Sequence, residues 1–236
     1  MLFIGSANLT SDADSVANDD IRWNKSESGG ANYLKVIEGV GNEFYLETNV
    51  TMDYRSTAKL GNSSSKYACD DEVNGFTIDN GTTAFCVMFW GNGLRISGTG
   101  GYSGNGGMIR ATGNPGFPVD TKEYTRKLAI LKEYVEEAGE YVYKIYVDDV
   151  LYFVLSEKTG ISFKHGGNAE NNYAYSVAKE NVKSWIASLN ESAELAIGFR
   201  CNTYGSNSGK YCAAGYSDTK IVTNADVIAQ YKDMLE

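Results

Sequence analysis

Hydrophobic and polar positions alternate over many short segments of this chain, as they do in β-strands with one buried face. Between Tyr141 and Val147 the alternation places every second side chain on the same face. The run Thr83–Trp90 is almost continuously apolar, which predicts a central strand buried on both faces. Gly91-Asn92-Gly93 and Asp148-Asp149 are typical of hairpin turns. Further strands are predicted at residues 31–38, 42–52, 94–97, 108–111, 125–135, 150–155, 194–201 and 210–222.

Two segments have a helical period instead. Apolar residues in 178–189 recur at the spacing of one helix face, which predicts a short amphipathic helix packed on the strands with Trp185 in the core. Residues 223–236 predict a helical tail, and the polar residues 1–32 predict an N-terminal arm. No linker or repeat divides the chain. The sequence therefore predicts one all-β domain over residues 1–236, a two-sheet antiparallel jelly-roll sandwich with one or two short peripheral helices.

Charge and length exclude two classes of partner. The 236 residues carry 21 basic and 30 acidic side chains, a net charge of −9, with no compact basic stripe. That field repels a polyanion, so we expect no nucleic-acid partner. No apolar run approaches the roughly 20 residues of a membrane-spanning helix. Residues 1–5 are too short and lack the basic flank of a signal peptide, so the compartment must be inferred from the cysteines.

Four cysteines favour an oxidising compartment. Cys201 and Cys212 flank a polar loop, and two strands paired across that loop would bring their Cβ atoms close. Cys69 and Cys86 could pair likewise across the segment between them. The even count and these local pairings predict disulfides and a secreted or cell-surface protein. The alternative is four buried thiols, since free cysteine is commonly buried.

Two stretches resemble the concanavalin A-like, laminin-G-like jelly-roll superfamily. Residues 143–151 have its strand, acidic hairpin turn and second strand, although Asp149 stands where the family often has Gly. Residues 215–222 followed by 226–231 are similar to its closing strand and tail. The resemblance covers a small part of the chain. It implies two curved antiparallel sheets, frequent carbohydrate binding and frequent calcium.

No catalytic signature emerges from the acidic residues or the histidine. Glycosidases of this fold need two carboxyls facing one sugar. The nearest candidates, Asp70-Asp71-Glu72 and Glu133 with Glu136-Glu137, lack that spacing and are expected at solvated turns. His165 is the only histidine and has no neighbouring nucleophile motif. We therefore expect a non-catalytic protein.

Calcium requires six to eight oxygen ligands. Asp218 stands where related modules often place a calcium-binding Asp, and Asp20 could contribute from the N-terminal arm. A solvated surface carboxylate is the alternative for both. A structural Ca²⁺ ion is thus an expectation from the resemblance.

Aromatic and amide side chains in polar loops are candidates for contact with sugar, because exposed loop aromatics commonly mark binding. The residues are Tyr102, Asn105, Arg110, Tyr173, Tyr204 and Trp90. Trp90 ends a buried run and is as well explained by core packing. Each loop tyrosine also has a structural role as its alternative.

These observations lead to a monomeric carbohydrate-binding module of a larger extracytoplasmic protein, with a glycan or cell-surface glycoconjugate as partner. A protein-binding adhesion domain of laminin-G type and a glycoside hydrolase of the same fold are the two alternatives.

Overall fold

The computed structural model describes residues 2–8, 21–22, 31–52, 72–90, 93–98, 108–110, 124–164, 175–203 and 210–235. Within them lie fourteen strands and two helices. The strands are β1 Leu2–Asn8, β2 Ile21–Arg22, β3 Ala31–Val40, β4 Phe44–Met52, β5 Glu72–Asp79, β6 Ala84–Trp90, β7 Gly93–Gly98, β8 Met108–Arg110, β9 Tyr124–Val135, β10 Glu140–Val147, β11 Val150–Ser156, β12 Gly160–Phe163, β13 Leu195–Thr203 and β14 Lys210–Val222. The helices are α1 Tyr175–Asn190 and α2 Ala225–Leu235.

The strands form two sheets, which confirms the predicted all-β sandwich. One sheet has eight strands in the order β12-β11-β10-β9-β4-β14-β1-β2, and the other has six in the order β3-β13-β5-β6-β7-β8. Pairing is antiparallel throughout the described residues except for the short parallel contact of β1 with β2. The predicted meander of β9, β10 and β11 is present and is extended by β12.

Alternation along the strands produces the core between the sheets. The eight-stranded sheet contributes buried residues from β4, β9, β10, β11, β12 and β14, among them Phe44, Leu46, Val50, Leu128, Ile130, Tyr143, Ile145, Phe153, Leu155, Ile161 and Tyr216. The six-stranded sheet contributes Phe76, Ile78, Phe85, Val87, Phe89, Leu94, Ile96, Leu195, Ile197 and Phe199. Strand β6 is buried on both faces, as its apolar run predicts, since Cys86 and Met88 on its other face are buried too.

Helix α1 completes this core. Its buried stripe of Val182, Trp185, Ile186 and Leu189 belongs to the same apolar cluster as both sheets. Burial of each such side chain contributes about 1.5–3 kcal/mol, which outweighs the modest intrinsic helicity of a 16-residue segment. The predicted amphipathic helix and its core Trp185 are therefore confirmed.

Helix α2 packs on the outer face of the eight-stranded sheet. Asn224 Oδ1 accepts hydrogen bonds from the backbone N–H groups of Asp226 and Val227, at 3.0 and 3.2 Å, which caps the helix. Ile228 is buried, and the ring of Tyr231 stacks on Tyr45 with centroids 4.1 Å apart. The predicted helical tail is confirmed.

Part of the predicted N-terminal arm is a strand. Residues 2–8 form a strand, β1, which pairs along its whole length with β14. The expectation of an arm was wrong here because the local sequence is short and weakly alternating, whereas the edge of β14 supplies hydrogen-bond partners. The prediction of one domain over residues 1–236 stays a prediction.

A tyrosine and a glycine connect the two sheets. Tyr216 Oη on β14 accepts a hydrogen bond from Gly75 N at 3.0 Å and donates one to Gly75 O at 2.9 Å. Its ring stacks on Phe199 of β13 with centroids 4.2 Å apart. A Cβ atom at Gly75 would lie 2.0 Å from the carbonyl oxygen of Val87, so only glycine fits there. These contacts fix how the sheets face each other.

The strands on either side of residues 204–209 do not form the expected hairpin. Strand β13 belongs to the six-stranded sheet and β14 to the eight-stranded sheet. Cys201 lies opposite Asn74 and Asn32, and Cys212 lies opposite Ser6. The argument from a paired hairpin was therefore wrong. A Cys201–Cys212 disulfide stays a prediction, now as a link between facing sheets, and peptide mapping without reductant would test it.

The second predicted disulfide falls partly outside the described residues. Cys86 is buried on β6, with its sulfur 3.2 Å from Thr77 Oγ1. Cys69 lies outside the described residues. The Cys69–Cys86 pairing stays a prediction. Of the helices in the described ranges, neither is long and apolar enough to span a bilayer.

Candidate functional site

A cleft of about 490 Å³ opens at one end of the sandwich, beside the β9–β10 turn, the β11–β12 turn and the end of α1. We call it the end cleft. Its lining combines aromatic rings, carboxylates, an amide and an ammonium group. The lining residues are Tyr134, Gly139, Glu140, Tyr141, Glu157, Lys158, Ala187, Asn190 and Glu191.

The two turns of the end cleft are tied together by Lys158. Its Nζ donates hydrogen bonds to the carbonyl oxygens of Ala138 and Gly139, at 2.5 and 3.2 Å. Gly139 has a φ of 61°, a left-handed conformation that glycine adopts at little cost. The β9–β10 turn is thus held against the β11–β12 turn, and this fixes the mouth of the cleft.

The third wall, the end of α1, is anchored to the other sheet. Asn80 in the β5–β6 turn donates from Nδ2 to Ser188 O at 2.9 Å and to Ser192 Oγ at 2.7 Å. Ser188 Oγ donates to Thr83 Oγ1 at 2.8 Å. Asn80 also caps its own turn through Oδ1, which accepts from the N–H groups of Thr82 and Thr83. These bonds position Asn190 and Glu191 over the cleft.

Two tyrosines form the aromatic part of the cleft. The rings of Tyr134 on β9 and Tyr141 on β10 pack edge to face with centroids 5.1 Å apart. Tyr134 is 39% exposed, which makes it one of the most exposed large apolar side chains among the described residues. The contact with Tyr141 restricts the orientation of this ring, and its exposed part lies at the cleft. An aromatic ring fixed in this way is a preformed stacking surface.

The amide of Asn190 has a fixed orientation. Its Nδ2 donates to Tyr141 O at 3.0 Å and to the Glu157 carboxylate at 2.9 Å. Both partners are acceptors, so the amide cannot be rotated end for end without losing both bonds. Asn190 Oδ1 is buried and has no hydrogen-bond partner within the described part of the chain. Asn190 therefore ties α1 to β10 and to the β11–β12 turn through Nδ2, while its buried oxygen is not accessible from the cleft.

Glu140 is occupied by the protein itself. Its carboxylate is buried and accepts hydrogen bonds from Ser156 Oγ at 2.8 and 2.9 Å and from Lys158 N at 3.3 Å. These bonds satisfy the buried carboxylate oxygens within the protein. Glu140 thus builds the floor of the cleft, whereas Glu191 has no salt bridge among the described residues and is exposed.

A buried lysine lies behind the aromatic pair. The Lys132 side chain is 0% exposed, and its Nζ lies 5.3 Å from the ring centroids of both Tyr141 and Tyr143. Within the described residues neither Lys132 Nζ nor Tyr143 Oη has a hydrogen-bond partner. Burial lowers the pKa of Lys132 to about 8 and raises the pKa of Tyr143. The cation–π contacts offset part of the cost of burying the charge.

The structure places few of the site residues predicted from sequence. Trp90 and Arg110 lie at the ends of β6 and β8 in the six-stranded sheet, away from the end cleft, and only their backbone is described. The remaining predicted ligand residues lie outside the described residues: Tyr102, Asn105, Tyr173 and Tyr204. The structure therefore does not test the predicted ligand site.

The end cleft was missed because its residues come from three separate segments. Glu133, which does not line the cleft, was also misjudged: expected at a solvated turn, it lies in β9, is buried, and pairs with Lys144 at 2.6 Å and Lys232 at 3.4 Å. The signal that could have been used is the tyrosine pair flanking the Glu-rich turn at 136–139, which exposes one ring.

The described residues do not supply a calcium site by themselves. Asp218 is exposed in a bulge of β14 with a φ of 52°, and its Oδ2 accepts a hydrogen bond from Asn49 Nδ2 at 2.8 Å. In the part of the chain that is described, no group of three or more His, Cys, Asp or Glu could hold a metal ion. Asp20 lies outside the described residues. One carboxylate falls far short of the ligands that Ca²⁺ needs.

Fold and cleft together define an all-β sandwich with an acidic, aromatic cleft at one end. No protein-family model and no curated protein sequence matches the chain. Among solved structures it is similar to the binding domain of botulinum neurotoxin serotype G, at 12% identity over 84% of this chain and 38% of that chain, with a TM-score of 0.35. It is also similar to an endo-1,3-beta-glucanase from Streptomyces sioyaensis, at 9% identity over 75% and 63%, with a TM-score of 0.35.

A third similar structure is the IT-sialidase CBM40 of Ruminococcus gnavus bound to alpha2,6 sialyllactose, at 8% identity over 84% of this chain and 96% of that chain, with a TM-score of 0.35. The chain spans less than two thirds of the first two of these structures. TM-scores this low support no inference about the function of this chain.

Proposed function

We propose that the protein is a non-catalytic carbohydrate-binding module and that the end cleft is its binding site. The observation that carries the proposal is the exposed ring of Tyr134, packed edge to face with Tyr141 beside the exposed carboxylate of Glu191. Sugars present C–H faces that stack on such a ring and hydroxyls that donate to such acceptors. The cleft size suits a terminal mono- or disaccharide, since small-ligand pockets span about 300–1,000 Å³.

The test is saccharide binding by the full chain and by Tyr134→Ala, screened on a glycan array and quantified by calorimetry. We expect Tyr134→Ala to weaken binding by about tenfold or more, because stacking on one ring contributes about 1–2 kcal/mol. Val150→Ala is the matched control: Val150 is 40% exposed, comparable to Tyr134, but begins β11 opposite Val147, at the end of β10 that is remote from the cleft. Binding that is unchanged in Tyr134→Ala would remove the end cleft as the site.

A glycoside hydrolase is the second proposal, because three carboxylates line the same cleft: Glu140, Glu157 and Glu191. Hydrolysis needs one protonated and one ionised carboxyl on either side of the scissile bond. If the protein turned over an oligosaccharide and Glu157→Gln or Glu191→Gln abolished turnover, the protein would be an enzyme. A protein ligand bound without any saccharide signal would instead favour an adhesion domain.

We retain a structural Ca²⁺ ion, a secreted or cell-surface location and a monomeric state as parts of the proposal. Calcium would have to be held by residues outside the described ranges together with Asp218. Thermal unfolding with and without a chelator tests it: an ion that binds the folded protein raises the melting temperature, and the stabilisation grows with the logarithm of its concentration above the Kd. An identical melting temperature in both conditions would remove calcium from the proposal.

A further inference from the structure

Two side chains that carry hydrogen-bond donors at the end cleft are engaged by the protein. Asn190 Nδ2 bonds to Tyr141 O and to Glu157, and Lys158 Nζ bonds to the carbonyl oxygens of Ala138 and Gly139. A carboxylate or sulfate ligand would have to compete with these protein acceptors for the two donor groups. The hydroxyl groups of Tyr134 and Tyr141 are neutral donors in the same lining.

Carboxylate oxygens at the cleft remain available as hydrogen-bond acceptors. The carboxylate of Glu191 is exposed and has no salt bridge among the described residues. Glu157 Oε2 accepts a hydrogen bond from Asn190 Nδ2, which leaves Oε1 as a further acceptor. A ligand that bonds to these carboxylates must bring donors, because a carboxylate oxygen accepts and does not donate.

The charge of the cleft further restricts the class of ligand that can bind. The lining holds three carboxylates against one ammonium, that of Lys158, and the whole chain carries a net charge of −9. The local and overall fields therefore both attract a cation and repel an anion. The exposed Tyr134 ring adds a face on which a cation is favourable.

From these observations we propose that the end cleft binds a saccharide bearing a protonated amino group, that is, an amino sugar without an N-acetyl cap. The inference rests on the proposed function and names the ligand class of that same site. The ammonium group donates to Glu191 and Glu157 as charge-assisted hydrogen bonds, and the sugar ring stacks on Tyr134.

The test compares three tetrasaccharides by calorimetry on the full chain: glucosamine tetramer, N-acetylglucosamine tetramer and galacturonic acid tetramer. At low ionic strength and pH 6, where the amine is protonated, we expect the glucosamine tetramer to bind about tenfold more tightly than its N-acetylated counterpart. The galacturonic acid tetramer should bind most weakly. Salt at about 0.5 M should compress the difference, since the Debye length falls to a few ångströms.

Variants that each remove one negative charge test whether the preference for the glucosamine tetramer arises at the cleft. Glu191→Gln should reduce the preference for glucosamine over N-acetylglucosamine by about fivefold, because it removes an exposed carboxylate and leaves the shape unchanged. Glu194→Gln makes the same change of charge at an exposed residue that does not line the cleft, and should leave the preference intact. Both residues are exposed, so both variants are expected to fold.

The outcomes separate this inference from the proposed function. N-acetylated or acidic tetramers that bind as tightly as the glucosamine tetramer, with binding still lost in Tyr134→Ala, would overturn the inference and leave the function standing. A preference that survives both Glu191→Gln and Glu157→Gln would also overturn it. If no saccharide of any class binds, the proposed function fails and the inference fails with it.

Discussion

The two ends of strand β10 carry similar acidic residues in very different surroundings. At its far end, Asp148 pairs with Arg126 at 2.7 Å and Asp149 with Lys127 at 2.6 Å. At its near end, Glu140 is bonded to a serine hydroxyl and a backbone N–H, and Glu191 has no cation beside it in the described residues. The far end is a closed turn, whereas the near end opens into the cleft.

The comparison shows that a group of acidic residues does not by itself identify a binding site. The hydrogen-bond and salt-bridge partners of each carboxylate determine whether it can bind a ligand. At the far end each carboxylate forms a salt bridge with a basic side chain of β9. Neither carboxylate is therefore readily available to a ligand. At the near end the cation, Lys158, is used on carbonyl oxygens, and the buried Lys132 has no carboxylate partner among the described residues. A site is therefore found by counting unused donors and acceptors rather than charged residues.

The largest expected effect on stability comes from replacing Lys132, near the cleft end of β10, and is compared with the replacement of Lys127 at the far end. Lys132→Met should raise the free energy of unfolding at pH 7 by about 1–3 kcal/mol, since it replaces a buried charge with an apolar chain of similar length. Lys127→Met, on the same strand, should lower it by less than about 1 kcal/mol, because it removes a partly exposed ion pair. Urea unfolding measures both.

The pH dependence of Lys132 sharpens the same contrast. Its pKa is about 8 in the folded protein and has its ordinary value, near 10.5, in the unfolded chain. Between these values the unfolded chain binds more protons, so the free energy of unfolding rises with pH across that window by about 3 kcal/mol. Relative to the native protein, Lys132→Met should lack this rise between pH 8 and 10. Parallel pH profiles for the two proteins would contradict the burial of a titrating amine.

An intermediate effect compares the carboxylates themselves. Glu140→Gln should lower the free energy of unfolding by about 1–2 kcal/mol, because a buried amide replaces an acceptor that serves Ser156 and Lys158 N. Asp148→Asn should change it by about 0.5 kcal/mol or less, since Asp148 is exposed. Equal losses in thermal or urea unfolding would mean that the two ends are equivalent.

The smallest expected effect on stability concerns the turn between β10 and β11, at the far end. Asp148 and Asp149 have φ values of 49° and 67°, the conformation of a turn that favours glycine at its second position. Asp149→Gly should therefore raise the free energy of unfolding by about 0.5 kcal/mol, the relief of backbone strain outweighing the loss of an exposed pair with Lys127. Saccharide binding should not change. A loss of binding in this variant would place part of the site at the far end.

The period of the sequence by itself determined the strands and the helix of the core. Alternation in 141–147, the apolar run at 83–90 and the stripe of α1 each encode which face is buried, because burial follows from local geometry at periods of two and 3.6 residues. The same pattern cannot state which strands become neighbours. Strands β13 and β14 are adjacent in sequence but lie in different sheets. Strand β1 could be recognised only from its pairing with β14.

The existence and lining of the end cleft could be recognised only from the tertiary structure. Its walls come from the β9–β10 turn, the β11–β12 turn and the end of α1, which are up to about 50 residues apart in the chain and are joined by Lys158 and Asn190. Whether a carboxylate such as Glu133 is solvated or buried, and whether an acceptor such as Asn190 Oδ1 is used, depends on partners brought from distant segments. Local pattern fixes which face of an element is buried, whereas the availability of each polar group is settled only when those elements meet.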